Sequence, residues 1–204
     1  MSRVGEKIKM AREKSGMTQK ALAKKLGVAE KFVNEVETGR KIINESLISK
    51  VSKVLNTDLN DIIKMMVERF EEVLTQIQEE SDVKFDNSKI NDITTIGSMI
   101  EKEAQVDKDR PLISSVIYNR LEKDMKLQID ATVLYAMNEH VDVVLYKHLE
   151  TDSPYNTYKY KGLPVGPICN PGKESLKAAL MPDKTDYLYY ILQKDKSHYF
   201  TNEY

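Results

Sequence analysis

Residues 97–104 read GSMIEKEA, residues 110–121 read RPLISSVIYNRL, and residues 153–172 read SPYNTYKYKGLPVGPICNPG. The first places one carboxylate, Glu101, in an apolar stretch. Ile93, Ile96, Gly97, Ile100 and Ala104 recur at helical spacing, which predicts a helix with Glu101 one turn after Gly97. Gly97 has no side chain, so a ligand is expected to approach the carboxylate there. Met99 and Ile100 are expected to dry its surroundings, and desolvation raises a carboxyl pKa, as a general acid near neutral pH requires. Glu103 lies two residues on, about 200° around the helix, so it is expected to meet Arg110 or Arg120 instead. The third stretch predicts a rigid loop rich in Tyr, Asn, Gly and Pro that could hold a sugar polymer, or could simply be structural.

Outward from this core the chain changes character. Residues 1–65 carry 14 Lys/Arg and 8 Asp/Glu, a balance of +6, while the rest carry 17 and 24, a balance of −7. A basic first third points to a polyanionic partner, or to an ordinary lysine-rich surface. In it, Val4, Ile8 and Ala11, then Leu22, Ala23 and Leu26, then Phe32, Val33 and Val36, then Leu47, Val51 and Leu55 predict four short amphipathic helices, with a fifth from about Leu59. Gly16, Gly27 and Gly39 are expected to end the first three, and Thr18 to cap the second. Residues 66–92 predict a linking helix to about Glu80 and then a loop.

The segment 18–41, TQKALAKKLGVAEKFVNEVETGRK, has the spacing of helix, tight turn and helix. Residues 1 to about 62 resemble the lambda-repressor-like (Cro/XRE) helix-turn-helix family. The resemblance implies an Arg12–Glu37 internal ion pair. It also implies Gln19 near phosphate, Glu30, Lys31, Asn34 and Glu35 on the recognition helix, and Arg40 and Lys41 on the DNA backbone. Double-stranded DNA and a homodimer through this module are the implied partners. Two of the four recognition positions are acidic, which phosphate repels. A small helical dimerisation or docking unit is the alternative.

Beyond residue 66 the chain resembles the endolytic murein transglycosylase (YceG-like) family. The resemblance rests on MIEKEA at 99–104, VIYNRLEKDMKLQIDATVLYAM at 116–137, the 153–172 loop, LKAALMPDKTDYLYYI at 176–191, and His198. It implies Glu101 as the single catalytic acid/base. Asn119, Arg120, Gln128, Asp130, Thr132, Ser153, Tyr155, Asn156 and Thr157 fall on family positions and are the expected substrate contacts. The implied reaction cleaves the glycan of peptidoglycan between N-acetylmuramic acid and N-acetylglucosamine, leaving a 1,6-anhydro end, with no cofactor. Ile129, Ala131 and Val165 depart from the family pattern, and the family's usual membrane anchor and LysM-like subdomain are expected to be replaced here by the helix-turn-helix module.

The expected fold is α+β: an all-α five-helix helix-turn-helix domain at 1–65, a linking helix and loop at 66–92, and an α+β transglycosylase-like domain at 93–204. Its strands are expected at LYYILQ and HYFT, paired antiparallel. His140 and His148 stand eight apart with no third ligand at suitable spacing, so no metal is expected. The single Cys169 excludes an internal disulfide. No apolar run approaches the ~18 residues of a membrane helix, and MSRVGEKIKM lacks a secretory h-region. A cytoplasmic location is therefore expected, in conflict with a glycan outside the membrane. The competing functional expectation is a transcriptional regulator whose second domain senses cell-wall fragments without cutting them.

Overall fold

The computed structural model describes residues 3–38, 45–81, 83–84, 86–137 and 144–203. The chain divides into two compact units, Met1–Gln76 and Ile77–Tyr204.

In the first unit, α1 spans Arg3–Lys14, α2 Gln19–Leu26, α3 Glu30–Glu37 and α4 Glu45–Leu55. Helix α5, Leu59–Ser81, continues across the division between units. Thr18 caps α2 by accepting the Ala21 N–H at 3.1 Å, and Gly27 ends it in the left-handed region at φ 73°. Ile8, Leu22, Leu26, Val33, Val36, Ile48, Val51 and Leu55 make one core. Helix α1 can press on α3 because Gly5 has no side chain. A Cβ there would stand 2.3 Å from the Val36 carbonyl oxygen. Gly39, expected to end α3, lies outside the described residues.

The second unit is built on α6, Ile90–Glu103, with α7, Arg110–Glu122, and α10, Lys173–Leu180, packed on it. Pro111 opens α7, where a missing N–H costs nothing. Short helices α8, Asp130–Met137, and α9, Tyr146–Leu149, precede an irregular loop that runs from residue 150 to Gly172. Among the described residues the sheet is one antiparallel pair, β1 Tyr189–Leu192 and β2 His198–Thr201, with Tyr190 opposite Phe200. Ile93, Ile96, Met99, Ile100, Ile113, Val116, Ile117 and Leu176 are buried. Among the described residues no helix is long and apolar enough to cross a membrane.

Candidate active site

Glu101 sits in the last turn of α6, and its position follows from how α10 begins. The NPG turn brings the chain onto α6, and Gly97 lets it come close: a Cβ on Gly97 would meet Pro171 and Leu176 at 3.4 Å. The expectation that Gly97 opens a ligand path is therefore corrected, because the space it leaves is filled by α10. Gly172, the N-cap of α10, donates its N–H to Glu101 Oε2 at 3.2 Å. Ser175, in the first turn of the same helix, donates its hydroxyl to the same oxygen at 2.5 Å. Arg110, at the start of α7, reaches it at 3.3 Å. A helix N-terminus, with its unpaired N–H groups and positive dipole end, suits a carboxylate.

The carboxylate is not in a dry niche. Met99 and Ile100 are buried in the core, whereas the Glu101 side chain is 34% exposed. Its surroundings are a cation, a hydroxyl and an amide. Arg110 also donates to Asp107 Oδ1 at 3.1 Å and to Ser175 Oγ at 2.5 Å.

Glu103 meets neither arginine. It accepts from the Tyr190 hydroxyl at 3.2 Å, because Arg110 is taken by Glu101 and Asp107 and Arg120 by backbone carbonyls. Burial pushes the Glu103 carboxyl above its ordinary range. Tyr190 packs edge-on against His198, whose backbone N–H and Nδ1 both meet Asp109 Oδ2, at 2.7 and 2.9 Å.

Several residues expected to touch substrate are committed inside the protein. Arg120 is buried and donates to the carbonyls of Leu188 (2.6 Å), Leu127 (2.9 Å) and Lys126 (3.0 Å), while its guanidinium lies 5.0 Å from the Tyr189 ring. Asn119 donates to the carbonyls of Thr185 and Tyr187, each at 2.9 Å. Thr132 and Thr157 share a buried hydroxyl contact of 2.9 Å, and Thr157 also accepts the N–H of the buried Ile129. Asn156, fully buried, donates to the carbonyls of Leu149 and Thr151 and accepts the Tyr158 N–H. These side chains build the loop, because an irregular backbone leaves polar groups that must be paired.

The other expected contacts lie at the surface. Gln128 is exposed and holds φ at 53°. Asp130 accepts from the Tyr158 hydroxyl at 2.5 Å, and burial together with that carboxylate pushes the Tyr158 phenol up. Tyr155 packs on Tyr135 with ring centroids 4.7 Å apart. Ser153 borders a shallow pocket with Asp152, Pro154 and Tyr160. Among the described residues, Glu101 hydrogen-bonds Arg110, Gly172 and Ser175, and Gln128, Ser153 and Tyr155 are not its partners. Ser175 is the residue the sequence reading missed. The signal was the NPG turn before KESLKAAL, which announces a helix N-terminus.

In the first unit, Arg12 and Glu37 form the expected ion pair, at 2.6 and 3.0 Å, and this hydrogen bonding holds the guanidinium above its usual range. Gln19 donates to the buried Glu37 at 2.8 Å and accepts at 3.5 Å from Asn34, which is exposed. Lys31 pairs with Glu35 at 3.9 Å along α3. Arg40 and Lys41 lie outside the described residues, as does His140. Among the described residues no group of three or more His, Cys, Asp or Glu side chains could hold a metal ion.

Residues 9–204 match the sequence pattern of the YceG-like family. The endolytic murein transglycosylase of Bacillus subtilis is 49% identical over 146 residues, which are 72% of this chain and 40% of that protein. The endolytic murein transglycosylase of Streptococcus pneumoniae is 35% identical over 130 residues, 60% of this chain and 24% of that protein. A crystal structure of a yceG-like protein from Listeria monocytogenes superposes with a TM-score of 0.64 at 45% identity, covering 72% of this chain and 48% of that one. The chain thus spans less than half the length of these relatives. Multiprotein-bridging factor 1 of Candida albicans is 38% identical over 56 residues, 28% of this chain and 37% of that protein.

Proposed function

The chain belongs to the YceG-like family, and from that premise we propose that its second unit cleaves the glycan of peptidoglycan by lytic transglycosylation. The observation that carries the reading is the Glu101 carboxylate, held by donors from α7 and α10 and still partly open. Glu101 gives its proton to the glycosidic oxygen between N-acetylmuramic acid and N-acetylglucosamine. The C1–O bond breaks, the N-acetylglucosamine leaves with a hydroxyl, and positive charge spreads over C1 and the ring oxygen. The muramyl 6-hydroxyl then bonds to C1 and returns its proton to Glu101. No water attacks, so one carboxyl serves where hydrolases use two. Gln128, Asp130, Ser153 and Tyr155 are the surface groups of this reading that contact the sugars.

The test is digestion of purified murein with mass spectrometry of the products. Wild-type chain yields 1,6-anhydro ends and Glu101→Gln yields none. Equal product from both would remove Glu101 from the reaction.

The first unit supports a finer reading as a DNA-binding helix-turn-helix module. The α2–Gly27–α3 turn and the buried Arg12–Glu37 pair are the observations behind it. A gel shift at low salt, lost as salt rises, is expected. No shift on any DNA would leave α3 as a docking surface.

A further inference from the structure

We infer that Arg110 and Ser175 are positioning residues that reserve one oxygen of Glu101, Oε1, for proton transfer. This rests on the acid/base reading of Glu101. Three donors converge on the other oxygen, Oε2: the Ser175 hydroxyl at 2.5 Å, the Gly172 N–H at 3.2 Å and Arg110 Nη1 at 3.3 Å. A carboxylate oxygen has about two lone-pair directions, so Oε2 is saturated. Among the described residues none donates to Oε1, and the side chain keeps 34% of its exposure. The oxygen that can meet a ligand is therefore the one the protein leaves free.

The direction of the Ser175 hydroxyl is also determined. A guanidinium can only donate. Arg110 Nη1 stands 2.5 Å from Ser175 Oγ, so Oγ accepts there, and its one proton turns to Glu101. Ser175 is fully buried, and water does not compete. Arg110 thus acts on Oε2 twice, directly and through Ser175. A proton placed on Oε2 would point at three groups that carry protons themselves. The acidic proton sits on Oε1, leaves from it to the glycosidic oxygen, and the 6-hydroxyl proton returns to it. Glu101 ends each cycle as it began.

The test uses the full chain and soluble, uncrosslinked murein glycan strands. Ser175→Ala is expected to lower kcat about 10- to 100-fold, the range for losing a hydrogen bond to a charged group, with KM within about twofold. Ser175→Thr, which keeps a hydroxyl, recovers most of the rate. Arg110→Lys keeps the charge but not the planar guanidinium whose Nη1 is held on Ser175 and Glu101 while Nε is anchored on Asp107, and stays slow. A readout independent of turnover is the carbon-13 signal of the Glu101 carboxyl, assigned by its loss in Glu101→Gln. It is one sharp line in the wild type and shifts or broadens in Ser175→Ala without any substrate. Wild-type kcat and an unmoved signal in Ser175→Ala would overturn the inference, as would equal losses in Ser175→Ala and Ser175→Thr. Should the wild type form no anhydro product, the acid/base reading fails, and the carbon signal still decides whether Ser175 and Arg110 hold the carboxyl.

Discussion

Two neighbouring carboxyls on α6 have opposite surroundings. Glu101 faces a cation, a hydroxyl and an amide, whereas Glu103 is packed near the hairpin, with the Tyr190 hydroxyl and the Ala131 backbone as its hydrogen-bond partners among the described residues. Burial raises the Glu103 carboxyl, so the folded protein holds its proton more tightly than the unfolded chain. The native state then binds more protons, and this group's contribution to stability falls as pH rises from about 4.3, the unfolded glutamate value, through the raised folded value. Glu103→Gln, which keeps an acceptor for Tyr190, is expected to raise Tm by about 2–4 °C at pH 7 and to lose that advantage below pH 4. Thermal melts at the two pH values check this, and equal Tm shifts at both would contradict it. Cys169, with its thiol pushed up to about 11 by burial and donating to the Ser98 carbonyl, is expected to react only slowly with a disulfide reagent at pH 8. Labelling as fast as a free peptide thiol would show the site open.

At the scale of elements, the candidate active site is an α6–α10 contact, and Leu176 is its buried centre. Leu176→Ala is expected to cost about 2–5 kcal/mol in denaturant unfolding, as other buried leucine truncations do. A cost below about 1 kcal/mol would mean the two helices do not depend on this contact. The helices themselves were legible in sequence: the spacing of Ile93, Ile96 and Ile100 gave α6, and Thr18 and Gly27 bounded α2. The strands at Tyr189–Leu192 and His198–Thr201 were legible from their run of aromatics. What surrounds Glu101 was not legible, because Ser175 is 74 residues away and no local pattern records that approach. Nor could sequence separate Asn156, Thr157 and Thr132, which pair buried loop groups, from Gln128 and Ser153, which stay at the surface. An irregular loop and a sugar site draw on the same polar residue types.

At the scale of the whole molecule, the chain holds two compact units, each with buried apolar side chains of its own. Glu37 is nearly sealed in the first of them, paired with Arg12. Glu37→Ala leaves that buried guanidinium with the exposed Glu13 carboxylate at 3.4 Å and the Met17 carbonyl in place of its close bidentate partner, so a loss of about 3 kcal/mol is expected. If the reaction belongs to the second unit alone, the same variant still forms anhydro ends at the wild-type rate below its melting temperature. A parallel loss of product would show that both units are needed. The proposed reaction itself makes a demand that no hydrolase meets, because the new sugar end must come from the muramyl 6-hydroxyl and not from solvent. Digesting purified murein in oxygen-18 water measures this directly. Lytic transglycosylation yields 1,6-anhydro ends free of oxygen-18, formed by the wild type and absent with Glu101→Gln. Reducing ends that carry the heavy oxygen would contradict it.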